Sequence, residues 1–385
     1  MKILLIHNQY GKYSGEEAVV DSQIKLLRKR GVTVKTYFRS SEEIPRMKFG
    51  QFRAFFSGFY NHKSISEILK IIIDYKPDIV HVHNLYPLIS PAVLKQIKAM
   101  NVPIVMTVHN YRLSCPNGLY FSKNEICERC NGGKEWNCII RNCESNYVKS
   151  TGYALRNFYA RIKKHYLNNV DRYLCLTEFQ KGKMIENGYP RNRITIIPNM
   201  YKEDIPHQVH NVKKEYFASV GRISPEKGIE KLIYVARKLK HIEFKVAGQK
   251  RDGYLEDIKL PSNLEFVGPL SQTQLNEFYA KSIALIHTSR VYEGFPMVFP
   301  EAMSFRLPII APRMAGYPEI IKDELNGLLY DPDNTDDLIS KINRLWKNPS
   351  QRLKYGEYGF KEMRSKYSEL IYGNKLLLEY DEILK

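Results

Sequence analysis

Glu293-Gly-Phe-Pro-Met-Val-Phe-Pro-Glu301 sets two carboxylates eight residues apart, joined by a Gly-Phe-Pro turn. The apolar run Ile283-Ala284-Leu285-Ile286 and then Ser289-Arg290-Val291-Tyr292 precede it, and Ala302-Met303 follow. That order predicts a strand, a turn, and a helix starting near Pro296 to Val298. The first N–H groups of a helix lack intrahelical partners and suit an anion. Glu293 then stands at the mouth of an anion site, with Glu301 about one turn inside the helix. Acids beside a phosphate repel it unless they bind hydroxyl groups instead. A ligand carrying both a phosphate and vicinal hydroxyls satisfies both demands. Two acids alone read more simply as a helix cap and a solvated surface glutamate.

A second strand end changes that balance. Lys214 to Val220 is a short apolar run that opens into Gly221-Arg222-Ile223-Ser224-Pro225-Glu226-Lys227-Gly228. Ile229, Leu232, Ile233 and Ala236 then recur at helical spacing, so strand, glycine turn and helix follow in order. Arg222 and Lys227 lie on the loop leaving the strand, where a doubly wound sheet places its ligand crevice. Two cations there neutralise a diphosphate, arginine as a bidentate fork and lysine as a point charge. Joined to Glu293 and Glu301 from another strand end, they point to a nucleotide-sugar.

With these motifs the chain resembles the retaining GT-B glycosyltransferases of family 4. The resemblance rests on Gly221-Arg222 with Glu226-Lys227-Gly228, on Glu293 to Glu301, on Ala315 to Ile321, and on Asn326-Gly327-Leu328-Leu329. In the N-terminal half it rests on Thr107-Val108-His109-Asn110 and Gly15-Glu16-Glu17. The chain departs from the pattern at Arg306, where glycine is common in the family, and at Met200, where Asn-Gly is common.

The 385 residues are enough for two domains with well-buried cores. Strand-like runs alternate with amphipathic stretches from Ile3-Leu4-Leu5-Ile6 through Ile79 to Val82, Ile104 to Thr107 and Tyr173 to Leu176. They resume with Phe217 to Val220, Glu243 to Ala247 and Ala284 to His287. This is α/β with parallel sheets in two units, which the resemblance makes a GT-B fold of two Rossmann-like domains facing a cleft. Expected boundaries are 1–200 for an acceptor-binding domain, with a cysteine-rich insertion at 115–143, and 201–360 for a nucleotide-sugar-binding domain. An amphipathic helix at 361–385 is expected to cross back to the first domain. The break falls in the polar stretch between Pro198 and Glu215, which holds Pro206 and two histidines. No Gly-x-Gly-x-x-Gly follows the first strand, which argues against a dehydrogenase.

Of the net charge of +18, residues 1–200 carry +16, with 31 Lys and Arg against 15 Asp and Glu. That asymmetry calls for an anionic partner. No nucleic-acid-binding motif is present, and an anionic membrane surface fits better. Lys48 to Tyr60 interleaves aromatics and cations in the manner of an interfacial segment, and Arg156 to Arg172 adds a second such run. With no span of about 20 apolar residues and no signal peptide, the expected location is cytoplasmic, at the inner face of the cell membrane.

Five of six cysteines lie between Cys115 and Cys143. Cys127 and Cys130 have the spacing of a metal-binding pair, and Cys115 with Cys138 or Cys143 would complete a tetrahedral structural zinc site. The set taken forward is Cys115, Cys127, Cys130 and Cys143.

The resemblance further implies transfer from a UDP-, GDP- or dTDP-sugar to a glycan or polyprenyl-linked acceptor, as in bacterial surface-polysaccharide assembly, with no metal needed for catalysis. Catalytic roles fall to His109, Arg222, Lys227 and Glu293. Donor contacts fall to Gly15, Arg222, Lys227, Glu293, Gly294, Phe295, Pro296, Met297, Val298 and Glu301. Two other functions fit the same motifs: a GT-B nucleotide-sugar epimerase, and a non-catalytic basic membrane-binding protein.

Overall fold

A computed structural model of the chain describes residues 1–11, 14–201 and 212–385. Most of the stretch between Pro198 and Glu215, including Pro206 and its two histidines, lies outside the described residues, as do Lys12 and Tyr13. Two compact units emerge. One comprises Met1–Lys123, Cys127–Met200 and Glu369–Lys385; the other comprises Asn124–Ile126 and Tyr201–Ser368.

The first unit is built on β1 (Lys2–Gln9), β2 (Thr33–Ser40), β3 (Ile79–Val82), β4 (Ile104–Thr107), β5 (Arg172–Cys175) and β6 (Ile194–Ile196). They pair in the order β2-β1-β3-β4-β5-β6, all parallel. Ile3 to Ile6, Ile79, Val80 and Val105 are buried because helices cover both faces, which is why these strands read as unbroken apolar runs. The helix Gly15–Lys29 starts on a capping box, Ser14 with Glu17 three residues on. The order of strands reverses between β1 and β3, so the loops after them part and leave a crevice.

The second unit repeats the plan with β7 (Tyr216–Val220), β8 (Phe244–Ala247), β9 (Leu264–Gly268), β10 (Ser282–Ile286), β11 (Ile309–Pro312) and β12 (Gly327–Tyr330). Their order is β9-β8-β7-β10-β11-β12, again parallel throughout. Here the reversal lies between β7 and β10, the two strands whose ends carry Arg222 to Lys227 and Glu293 to Glu301.

The C-terminal tail is two helices, Pro349–Tyr367 and Glu369–Leu384, separated at Ser368, whose extended backbone (φ −67°, ψ 155°) stops the first. The second helix groups with the first unit and buries Tyr372, Leu376 and Tyr380 there. The Tyr380 hydroxyl lies 2.5 Å from His81 Nδ1, and Arg172 pairs with Glu379 at 3.1 Å.

Candidate active site

In the second unit the two diverging loops are stitched together by backbone. The Arg290 N–H donates to the Glu226 carbonyl at 2.9 Å, and the Thr288 hydroxyl donates to the Lys227 carbonyl at 2.8 Å. Gly228 has φ +64°, and a Cβ there would stand 2.2 Å from the Thr288 carbonyl oxygen, so only glycine permits the approach. The stitching delivers Lys227 Nζ to Glu293 Oε1 at 2.8 Å, while His287 Nε2 reaches the same oxygen at 3.1 Å. His287 is in turn held by the Tyr317 hydroxyl at 3.3 Å and the edge of Phe299. Burial pushes the Glu293 carboxyl up, but Lys227 and His287 outweigh it and hold the group well below the usual carboxylate range. Glu293 is therefore an ionised, partly buried carboxylate in a polar corner.

Arg222 stays outside this corner, its side chain 70% exposed and 3.2 Å from Glu226. Gly294, Phe295 and Pro296 are buried, with Phe295 edge-on to Tyr367 at 5.1 Å. Met297 precedes the helix Val298–Ser304 without capping it through a side chain. Glu301 is the fourth residue of that helix and accepts a hydrogen bond from the Tyr279 hydroxyl at 2.9 Å. Burial raises its carboxyl to about 7, against the smaller lowering effect of Tyr279. Glu301 thus sits poised between its two charge states near neutrality.

The first unit gathers a different chemistry at its strand ends. His109 follows β4, and its Nε2 lies 2.7 Å from Nδ1 of His83, which follows β3. His83 stacks on His81 at 4.6 Å, and His81 Nε2 meets the Thr107 hydroxyl at 2.8 Å. Burial lowers His109 to about 4, although Glu17 acts against it, so this imidazole is neutral at pH 7. Gly15 opens the helix beside Glu16, and a Cβ on it would meet nothing within 4 Å. Tyr10 donates to Glu16 at 3.0 Å and accepts from Arg112 at 3.2 Å. A cavity of about 30 Å³, roomy enough for a water molecule, lies among Glu16, His83, Asn84, His109 and Arg112.

The expected ligands Cys115, Cys127, Cys130 and Cys143 lie in one segment with Cys138. Among the described residues no group of three or more His, Cys, Asp or Glu side chains is arranged to hold a metal ion. Cys115 donates to Asn117 at 3.0 Å and Cys143 to Ser122 at 3.4 Å, while Cys130 and Cys138 pack with Ala154. Polar side chains and turns also hold the segment. The Tyr120 hydroxyl donates to Asn131 at 2.7 Å, Arg161 forks onto Glu135 at 2.6 and 3.1 Å, and Cys143 N–H closes the Trp136–Ile140 helix on the Cys138 carbonyl.

The aromatic-basic run forms the helix Gly50–Ser57. Phe55 and Phe59 turn inward, onto Gly152 and Tyr159, while Phe49, Phe52, Phe56 and Tyr60 are exposed. The adjoining helix Tyr147–Ile162 exposes Tyr147, Val148, Leu155, Phe158 and Ile162. Among the described residues no helix is long and apolar enough to cross a membrane.

His287, Tyr279, His83 and Glu16 escaped assignment from sequence. His287 had one usable signal, its position at the end of the run Ala284 to His287. The others become visible only through contacts across distant strands.

Two doubly wound sheets, each with polar side chains at its reversal point, define the GT-B class. The family description "Glycosyltransferase Family 4" matches residues 13–204 and "Glycosyl transferases group 1" matches 200–362. The chain belongs to the family 4 glycosyltransferases. A glycosyltransferase of Methanocaldococcus jannaschii is 33% identical over 209 residues, 53% of this chain and 58% of that protein. The lipopolysaccharide 1,6-galactosyltransferase of Salmonella typhimurium is 27% identical over 197 residues, 48% of this chain and 55% of that protein. The chain thus spans little more than half the length of these relatives. Anabaena HepE, solved in complex with UDP, shares the fold at a TM-score of 0.68 and 15% identity, covering 99% of this chain and 100% of that one.

Proposed function

We propose that this chain moves a sugar from a nucleoside diphosphate-sugar to a hydroxyl of a glycan or lipid-linked acceptor, with retention at the anomeric carbon. The observation that carries this reading is the Lys227–Glu293–His287 cluster at the reversal point of the second sheet. Cleavage of the anomeric bond builds negative charge on the departing diphosphate. Lys227 and the exposed Arg222 meet that charge, the kind of fixed electrostatic stabilisation that commonly dominates catalysis. Two cationic side chains make a divalent metal dispensable. Glu293 accepts hydrogen bonds from the transferred sugar, Glu301 from the ribose hydroxyls, and the Gly294–Val298 backbone lies along the donor. Gly15 is a donor contact from the first unit. His109, neutral and therefore not repelling a cationic sugar, serves the transferred ring. The departing phosphate oxygen takes the acceptor's proton, so no separate base is required.

The UDP bound to HepE makes a uridine nucleotide the first donor to try, and the Salmonella relative directs the search for an acceptor to surface polysaccharides. The exposed aromatics beside Lys48 and Arg53 support docking at an anionic membrane, where each basic side chain contributes about 1 kcal/mol. The test is incubation with UDP-, GDP- and dTDP-sugars in the presence of a chelator. Free nucleoside diphosphate, released faster with a glycan acceptor than without, is the expected result. An isomerised donor in place of transfer would establish an epimerase.

A further inference from the structure

His83 stands between His109 and the core of the first unit. Its Nδ1 lies 2.7 Å from Nε2 of His109, with the two rings 5.0 Å apart and 21° from parallel. The His83 ring has no freedom to turn away from that bond. It is 1% exposed, stacks on His81 at 4.6 Å and meets the ring of His7 edge-on at 6.0 Å, while its backbone N–H donates to the Ile6 carbonyl at 3.0 Å. His81 is itself pinned, at Nε2 by the Thr107 hydroxyl at 2.8 Å and at Nδ1 by the Tyr380 hydroxyl at 2.5 Å and the Gln23 amide nitrogen at 3.0 Å. Gln23 in turn accepts from the Tyr372 hydroxyl at 3.0 Å, so the helix Glu369–Leu384 anchors the base of the column.

A hydrogen bond between two imidazole nitrogens needs one N–H and one bare nitrogen, and each neutral ring has one of each. Both rings are neutral at pH 7. Burial holds His83 well below the usual range, with His81, His109 and His7 adding to it, and burial lowers His109 to about 4. Two arrangements are then open. If His109 donates, the proton of His83 sits on Nε2, a buried nitrogen with no partner among the described residues. If His83 donates, Nε2 carries only a lone pair and no N–H is buried unmatched. Buried N–H groups without an acceptor are rarer in folded proteins than buried acceptors without a donor, which favours the second arrangement. The His109 proton then lies on Nδ1, the ring nitrogen that His83 does not occupy.

We infer that His83 is a positioning residue: its Nδ1–H donates to His109 Nε2 and fixes His109 in the Nδ1–H form, which offers a donor to a hydroxyl oxygen of the transferred sugar. A neutral N–H holds that oxygen without setting a full positive charge beside a ring that becomes cationic. The part played in transfer rests on the transferase reading above; the tautomer stands without it.

NMR of the histidine ring nitrogens on the isotope-labelled full chain at pH 7 tests it, with His109 assigned by the signals lost in His109→Gln. The expected spectrum shows His109 protonated on Nδ1 and bare on Nε2. His83→Phe keeps a ring in the stack and removes the donor, so His109 should no longer be held in that single form. His83→Asn, whose amide donates from nearly the same place, should restore it. With a turned-over nucleotide-sugar, His83→Phe should lower kcat about tenfold or more at little change in donor KM, and His83→Asn should recover most of the loss. His109 protonated on Nε2 in the wild type overturns the inference, and so does a folded His83→Phe that keeps the wild-type tautomer or turns over within about threefold of the wild type. The wild-type spectrum decides the matter if the variant fails to fold. The expected tautomer without turnover of any nucleotide-sugar would leave the hold of His83 on His109 standing and remove the transferase reading. Turnover with the opposite tautomer would do the reverse.

Discussion

The two sheets have the same plan and opposite chemistry at their reversal points. The second unit presents ionised groups, Lys227 and Glu293 at 2.8 Å with Arg222 exposed nearby. The first presents a column of histidines, with His81 held near 3 and His109 near 4, in each case first by burial. A parallel sheet fixes only where a site lies, because strand ends and parting loops recur in both units. What the site handles depends on the side chains set there. Charged corners suit a diphosphate leaving group, and neutral imidazoles suit a ring that becomes cationic.

The largest effect expected from breaking this contrast is Glu293→Gln. It removes a carboxylate from between Lys227 and His287 and should lower kcat/KM by about 10²–10³, the range seen when one preorganised electrostatic group is removed. Steady-state kinetics on a turned-over nucleotide-sugar measures it, and circular dichroism checks folding.

Next comes the pH response of Glu301. Its carboxyl is raised from 4.5 to about 7 in the folded chain, so between those values the native state holds more protons than the unfolded one. Stability then falls as pH rises from about 4.5 to about 7, by about 3 kcal/mol, and levels off above. Denaturant titrations across that window should show the slope in the wild type and its loss in Glu301→Gln. Donor KM should fall over the same window, since ribose hydroxyls prefer the ionised acceptor, and the variant should lose that dependence too.

A smaller effect is expected at the helix Gly50–Ser57 with its exposed aromatics. Reversing Lys48 and Arg53 to Glu should reduce co-sedimentation with anionic vesicles several-fold at low salt, because attraction to such a surface acts within a Debye length of about 10 Å at 0.1 M. Equal binding to neutral vesicles would assign the exposed phenylalanines to another partner.

Much of this was legible in the chain. Unbroken apolar runs such as Ile3 to Ile6 mark buried parallel strands, and the glycine turn at Gly221 and the paired glutamates mark two strand ends. Their meeting was not legible as geometry. Lys227 and Glu293 are 66 residues apart, and their approach depends on β7 and β10 being sheet neighbours although two strands intervene in sequence. The packing of the cysteines was not legible either: Cys127 and Cys130 have metal-pair spacing, while Cys115 and Cys143 bond to Asn117 and Ser122 and Cys130 and Cys138 join an apolar cluster. The tail misled: its amphipathic pattern runs through Ser368, and only the extended backbone there divides it.

The central claim is that Lys227 and Arg222 stabilise a departing diphosphate. Nucleoside diphosphate release, measured for the wild type, Lys227→Ala and Arg222→Ala with the best donor of a UDP-, GDP- and dTDP-sugar panel, tests it most directly. A folded Lys227→Ala slowed by about a hundredfold or more, some 2.7 kcal/mol of transition-state stabilisation, is the predicted result. Turnover within about threefold of wild type in both variants, a loss of under ~1 kcal/mol, would contradict the account.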